Sequence, residues 1–535
     1  MSRCGHGLLP ASTAARCPGR HGVVATSHPA AAQAGREVLR SGGSAVDAAI
    51  ATAAALTVLE PTSNGLGGDL FALVWDGSGL HGYNGSGRAP QALTPTLVRD
   101  LGNDSMPVHG WASVTVPSQI RGWADLHDRF GRLPWSTVLQ PAIEFAAGGC
   151  AVPPVVAHYW SRAVTAAATR HGPQFAAFLP TFAPCGRAPA EGERVGLPGH
   201  VRTLRRLAEH GAEDFYSGEI AAAIVEFAAE TGGFIRATDL AEHRGEWVEP
   251  ITMDYGRYAV AEIPPNGQGI AALMTLGILD GLQVGPDLED ADALHLQIEA
   301  MRLAFADAFA HVADPSRTRV PTRGLLDPAY LRDRRRLIGP HAAPVRPGTP
   351  PTGGTVLLCV AAPDGQMVSL IQSNYHGFGS GVVVPGWGIA LQNRAHGFVL
   401  DEAHPNVLRP GARPFHTIIP GFLFRDGAPL GPFGVMGGHM QAQGHVQVVL
   451  RTAAGADPQQ ALDAPRWRVD RDGGRDVVLL EPGLAPAAEA LTGRGHTVRV
   501  VDDGGFGRGQ AIWREPDGTW LTGSETRSDG LAAGY

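Results

Sequence analysis

Thr355 stands directly behind Gly353 and Gly354, at the head of an apolar run that reads "GGTVLLCVAAPDGQMVSLIQS". A threonine hydroxyl is a weak nucleophile at neutral pH, and one group that can activate it is the residue's own α-amino group, provided the chain is cut before it. That amine has an ordinary pKa of about 7.7–8.0, so it can accept the hydroxyl proton and return it to a leaving amine. The two glycines reach backbone conformations closed to other residues, which lets the hydroxyl approach the preceding carbonyl for an intramolecular acyl shift. Taken alone, a threonine behind Gly-Gly is more often an ordinary loop end.

Two further segments bear on it. "GVMGGHMQAQGH" places Gly437 and Gly438 in backbone with little side-chain cover, where bare N–H groups can converge on a developing oxyanion. "SNYHGFGSG" puts Ser373, Asn374, Tyr375 and His376 about two strands' length from Thr355, within reach of it if the intervening chain is a hairpin. Read singly, the first is a tight turn and the second a polar loop. The 21 histidines raise the question of a metal, but His439 and His445 do not make a recognised ligand spacing, so no metal is expected. "GLGGD" and "GFGRG" match neither phosphate-loop nor dinucleotide patterns, and no cofactor is expected. Gly65 to Gly68 reads as a packing turn, with Asp69 capping local N–H groups.

The elements that must position these residues follow from periodicity. Apolar residues recur at helical spacing in "RGWADLHDRFG", "STVLQPAIEFAAGG", "HVRTLRRLAEHGA", "EIAAAIVEFAAETGG" and "DADALHLQIEAMRLAFADAFAHVAD". An earlier helical stretch is broken at Ser41-Gly42-Gly43. A Pro/Gly-rich stretch from Gly339 to Gly354 reads as a linker, and beyond it the pattern turns to strands, the first two joined through Pro363-Asp364-Gly365. At 535 residues, 44% hydrophobic and 18% charged, the chain can bury a large core. A net charge of -8 without a long Lys/Arg run argues against nucleic acid or an anionic membrane as partner. Five cysteines, none in a CxxC pair, suggest neither a disulfide framework nor a zinc site. With no secretory leader apparent and no long apolar span, a soluble cytoplasmic protein is the expectation.

Collinear motifs from about Gly22 to Tyr535 then narrow the reading: "GGSAVDAAIATAAALTVLEPTSNGLGGDLF", "GAEDFYSGEIA", "GGFIRATDLAEH", "EAMRLAFADAFAHVADP", the Thr355 segment, "FGVMGGHMQ", "QALDAPRW" and "SETRSDGLAAGY". Together they resemble the γ-glutamyltransferase family of N-terminal-nucleophile hydrolases, in its divergent oxamate amidohydrolase-like branch. The resemblance implies an α+β fold, a four-layer αββα sandwich. It also implies a precursor that cuts itself between Gly354 and Thr355, giving a large segment 1–354 and a small segment 355–535 that stay associated in one interleaved fold, with a homo-oligomer of that pair as a candidate assembly. By position, Thr355 matches the nucleophile, Ser373 a threonine that supports it, and Gly437 and Gly438 the oxyanion-hole pair.

The substrate-binding positions depart from the family pattern. His416 and Thr417 fall where two serines hold the substrate carboxylate; Tyr375 replaces an asparagine; Arg394 replaces an uncharged polar residue; and Gly397 aligns with the acid that grips the substrate ammonium. Arg88 is the candidate for the family's carboxylate-binding arginine, with a gap in the spacing. A buried ammonium without its counter-charge is strongly disfavoured, so the expected activity is an amidohydrolase on a small acidic amide. The alternatives are conventional γ-glutamyl transfer or glutathione hydrolysis, an acylase, and an uncleaved binding protein.

Overall fold

The computed structural model describes residues 21–343, 354–472 and 475–535. Cys4, Cys17, Gly353 and most of the expected linker lie outside the described residues. Strand Gly354–Ala361 begins at the Gly-Thr junction, and strand Met367–Tyr375 returns antiparallel to it around Pro363-Asp364-Gly365. Successive residues of a strand point to opposite faces, and both faces here are apolar, so this hairpin is central and covered on both sides.

The two faces enter different cores. Val356, Leu358 and Val360 pack with Leu70, Ala72, Val74, Val368 and Leu370 against the helices Ala45–Leu59, Gln119–Phe130 and Trp135–Gly148. Leu357, Cys359 and Ala361 pack with Phe71, Leu73 and Ile371 on the other side, against Ala261, Phe422 and Ile512 of a second sheet. That second sheet turns Val260, Leu423 and Trp513 outward onto the helices Gly269–Leu279, Ala291–His311 and Met440–Ala453. The result is helix, sheet, sheet, helix, an αββα sandwich of the N-terminal-nucleophile hydrolase type. The expected helices fall within a few residues of where their periodicity placed them, and the Ser41-Gly42-Gly43 break separates Pro29–Arg40 from Ala45–Leu59.

Strand order shows how the chain is woven. In the seven-stranded sheet Val23–Thr26 lies between Leu531–Gly534 and Gly354–Ala361, and beyond Met367–Tyr375 come Asp69–Trp75, Leu80–Gly85 and Glu246–Val248. The six-stranded sheet likewise sets Gly421–Arg425 beside Tyr258–Glu262. Among the described residues no helix is long and apolar enough to cross a membrane.

Candidate active site

Strand alternation decides which side chains meet. Thr355 shares the inter-sheet face with Leu357 and Cys359, and Ser373 shares it with Ile371. Ser373 is paired in register with Asp69, whose strand neighbour two residues on, Phe71, faces the same way. Thr355 and Ser373 are fully buried, and the Thr355 Oγ1 donates to Ser373 Oγ at 3.1 Å. Ser373 Oγ also accepts the N–H of Tyr375 at 2.7 Å. That bond accompanies a register shift after Gln372 and a φ of 77° at Tyr375, in the left-handed region that non-glycine residues rarely occupy. The irregularity interrupts the ladder beside Thr355 and Ser373, and pairing resumes between Tyr375 and Gly354.

A turn closes the second side. Strand Ala428–Met436 runs into helix Met440–Ala453 through Gly437 (φ 134°) and Gly438 (φ 64°). A Cβ at Gly437 would lie 3.2 Å from the Gly507 Cα, so both conformation and space call for glycine there. The turn sits at the positive end of a 14-residue helix. Two glutamines fix it. Gln441, in the first helical turn, donates to Thr355 Oγ1 at 3.4 Å and accepts from Ile419 N–H at 3.0 Å. Gln268 donates to the carbonyls of Thr417 (2.6 Å) and Gly438 (2.9 Å) and accepts from His439 Nδ1 at 3.0 Å. Neither glutamine was singled out from sequence; their only local signal is Gln441's place three residues after the Gly pair.

Arg394 completes the cluster. Its guanidinium is 1% exposed, lies 4.4 Å over the Tyr375 ring, and donates through Nη1 to Thr417 Oγ1 at 2.7 Å. Nε and Nη2 are buried with no hydrogen-bond partner among the described residues. Burial pulls its pKa down to about 10, against the pull of Asp69, so it is charged at neutral pH. Asp69 itself accepts from His416 Nε2 at 3.0 Å and from Ser118 Oγ at 2.8 Å. The expectation that Asp69 caps local N–H groups is therefore corrected: its carboxylate reaches side chains distant in sequence, because its strand position aims it between the sheets.

His416 is held by Asp69, while Thr417 beside it meets Arg394. Burial, with Arg394 adding to it, lowers the His416 pKa to about 4, and burial lowers His376 and His439 to about 3, so all three are neutral at pH 7. Arg88 is not brought to this cluster. Its Nη1 reaches Asp314 (3.2 Å) and the Gly411 carbonyl (3.0 Å), and its Nη2 reaches Glu246 (2.9 Å). Gly397 has no room for the family's acid: a Cβ there would lie 2.7 Å from the Phe415 carbonyl oxygen. No group of three metal-ligating side chains occurs among the described residues. A cavity of about 460 Å³ opens beside the cluster, its inner wall including His376, Gly437 and His439.

Two stacked sheets with helices outside them, and a buried pair of hydroxyls between the sheets, agree with the class of fold seen in N-terminal-nucleophile hydrolases, and the chain belongs to the gamma-glutamyltranspeptidase family, whose model matches residues 31–535. It is thus an enzyme of that family's hydrolase and acylase type. Among its relatives, the glutathione hydrolase-like YwrD proenzyme of Bacillus subtilis is 34% identical, over 96% of this chain and 98% of that protein. The oxamate amidohydrolase proenzyme of Klebsiella pneumoniae is 36% identical, over 96% and 98%. The crystal structure of cephalosporin acylase from Bacillus halodurans superposes with a TM-score of 0.95 at 49% identity, covering 100% of this chain and 99% of that one.

Proposed function

We propose that the chain is a self-processing amidohydrolase that forms an acyl-enzyme on Thr355 and acts on a small amide whose acyl group carries a carboxylate. The observation that carries this is Arg394. A buried guanidinium with two adjacent donors unmatched is costly, and Nε with Nη2 forms the edge that a carboxylate engages bidentately. Thr417 and the Tyr375 ring fix that edge in place. An α-ammonium has no acid at the position where the family carries one, since Gly397 leaves no room for it. This favours acids such as oxalyl or glutaryl over γ-glutamyl, and it moves the carboxylate-binding role from Arg88 to Arg394. The names of the relatives, an oxamate amidohydrolase and acylases among them, are compatible with it.

In processing, Thr355 Oγ1 attacks the Gly354 carbonyl; the amide nitrogen becomes the leaving amine, and water cleaves the resulting ester to free the 355 terminus. In catalysis the same oxygen attacks the substrate carbonyl while its proton passes to the Thr355 α-amine. The N–H groups of Gly437 and Gly438, with the helix end behind them, take the charge on the carbonyl oxygen. Collapse of the adduct expels the amine with the held proton, and water then hydrolyses the Thr355 ester. Ser373 and Gln441 orient Oγ1 throughout.

The direct test is denaturing electrophoresis with N-terminal sequencing of an active preparation, alongside a panel of oxamate, glutaryl amides, glutathione and γ-glutamyl anilide. A chain beginning "TVLLC" and turnover of the dicarboxylic monoamides are expected. Thr355→Ala should remain a single inactive chain near 56 kDa. An active enzyme with no chain starting at Thr355 would overturn the proposal.

A further inference from the structure

Helix Met440–Ala453, which follows the Gly437–Gly438 turn, buries four polar side chains in two pairs. Gln443 and Gln447, one turn apart, bond the backbone of strand Trp467–Asp472, an edge strand of its sheet. Gln443 donates to and accepts from Val469 (3.3 and 2.6 Å), and Gln447 does the same with Trp467 (2.9 and 3.1 Å). Those bonds have a structural duty, since buried peptide groups must be paired. Gln441 and His445, also one turn apart, lie on the opposite face at 100° per residue. Gln441 reaches Thr355 Oγ1. His445 has no such duty and no such reach.

His445 Nδ1 lies 2.6 Å from Oε1 of Glu262, the last residue of strand Tyr258–Glu262, and both side chains are fully buried. They satisfy only each other: Glu262 Oε2 and His445 Nε2 have no hydrogen-bond partner among the described residues. The surroundings are apolar, with the Phe433 ring 4.9 Å from the imidazole. A buried polar pair with unmatched atoms is no more stable than well-packed apolar residues of the same volume, so stability does not account for it. Its position bears on the site instead. Gly444 seats the helix directly on strand Ala428–Met436, since a Cβ there would lie 2.6 Å from Val435 Cγ1. A Cβ at Gly434 would lie 3.0 Å from the Leu357 side chain and 3.2 Å from His445 Nε2, so both pack against that glycine. Leu357 is the next side chain after Thr355 on the inter-sheet face.

From this we infer that Glu262 and His445 are positioning residues: their bond sets the rotation of helix Met440–Ala453, so that Gln441 meets Thr355 Oγ1 and the glycine turn faces the reacting carbonyl. This rests on the reading of Thr355 as nucleophile and of Gly437 and Gly438 as the oxyanion site. Neither Glu262 nor His445 touches the reacting atoms. The same Oγ1 attacks in self-processing and in turnover, so a turned helix slows both. Arg394, which anchors the acyl group, belongs to other elements, and the loss therefore falls on kcat and not on KM.

The test is the apolar replacement of both residues, Glu262→Met with His445→Leu, assayed on a glutaryl amide with rates expressed per chain beginning at Thr355. The melting temperature should be unchanged or higher, while kcat falls about 10- to 100-fold at constant KM and self-cutting of newly made precursor slows in parallel. Glu262→Gln alone, which keeps a partner for His445 Nδ1, should recover most of that kcat. Gln441→Leu should also lower kcat, and adding it to the apolar pair should cost little more, because both act on one contact. A lower melting temperature with kcat per processed chain unchanged, or losses that multiply in the triple variant, would overturn the inference. Should the apolar pair fail to fold, the single variants decide: a higher kcat in Glu262→Gln than in Glu262→Met supports the inference, and equal values defeat it. Self-cutting needs no substrate, so it reads the same effect if the glutaryl amide is not turned over. A wild-type chain that never cuts defeats the nucleophile reading and this inference with it; a wild type that cuts, beside an apolar pair that cuts as fast, defeats this inference alone.

Discussion

The buried guanidinium of Arg394 and the buried imidazole of His416 make opposite demands on the site. Arg394 stays charged in a buried place, so Arg394→Met should cost about 2–4 kcal/mol in binding a carboxylate-bearing acyl group, roughly 30- to 1000-fold in kcat/KM. Amides with a neutral acyl group should be nearly unaffected, and stability should hold or rise, because an unmatched buried charge has been removed; thermal melting beside kinetics on the paired substrates checks both. His416 stays neutral in the fold, with a pKa of about 4 against an ordinary 6.5. Between those values the unfolded chain binds a proton that the folded one does not, so His416's contribution to stability is present above 6.5 and is lost as pH falls toward 4. His416→Gln should therefore flatten the fall of stability between pH 6.5 and 4 by up to about 1.4 kcal/mol per pH unit, read from denaturant midpoints. Arg394 and Thr417 were visible in sequence by alignment, but their mutual bond was not, since residues 23 apart meet only through the fold.

At the scale of elements, the decisive device is an interruption. The hairpin of Gly354–Ala361 and Met367–Tyr375 was legible from its apolar runs and Pro-Asp-Gly turn, and alternation then aims Thr355 and Ser373 between the sheets. What periodicity cannot show is where a ladder stops being regular: the left-handed Tyr375, which turns its N–H onto Ser373, has no signature in residue type. Gln268 was hidden for a related reason, because the loops it joins lie at one end of three neighbouring strands of the second sheet, Tyr258–Glu262, Gly421–Arg425 and Ala428–Met436, which come from distant parts of the sequence. The Gly437–Gly438 turn was readable as a turn, and the oxyanion role proposed for it depends on the helix that follows. Gly437→Ala should lower kcat about 10²- to 10³-fold, since the new Cβ meets Gly507 and shifts the N–H groups. The same substitution at Gly455, also at positive φ but with nothing within 4 Å, should leave kcat unchanged; assays of the two variants at saturating substrate provide the comparison.

At the scale of the whole molecule, the position of the proposed cut relative to the sheets predicts how the processed protein behaves. Segments 1–354 and 355–535 do not form separate layers: Val23–Thr26 is hydrogen-bonded on both edges by strands from the later segment, and Gly421–Arg425 adds onto Tyr258–Glu262 from the earlier one. The core between the sheets draws Phe71 and Ala261 from one segment and Leu357, Phe422 and Ile512 from the other. Separating the pieces would expose that core and leave several strands with unpaired edges, a cost comparable to unfolding either sheet. The two chains should consequently co-purify under native conditions, elute as one species at high salt, and part only in denaturant. Calorimetry of the processed protein should give one cooperative transition, with refolding that depends on concentration after the chains are parted, because a unimolecular fold has become a bimolecular one. Two independent melting transitions, or a stable folded 355–535 piece on its own, would mean that the sheets tolerate separation and that the interleaving does not hold the processed enzyme together.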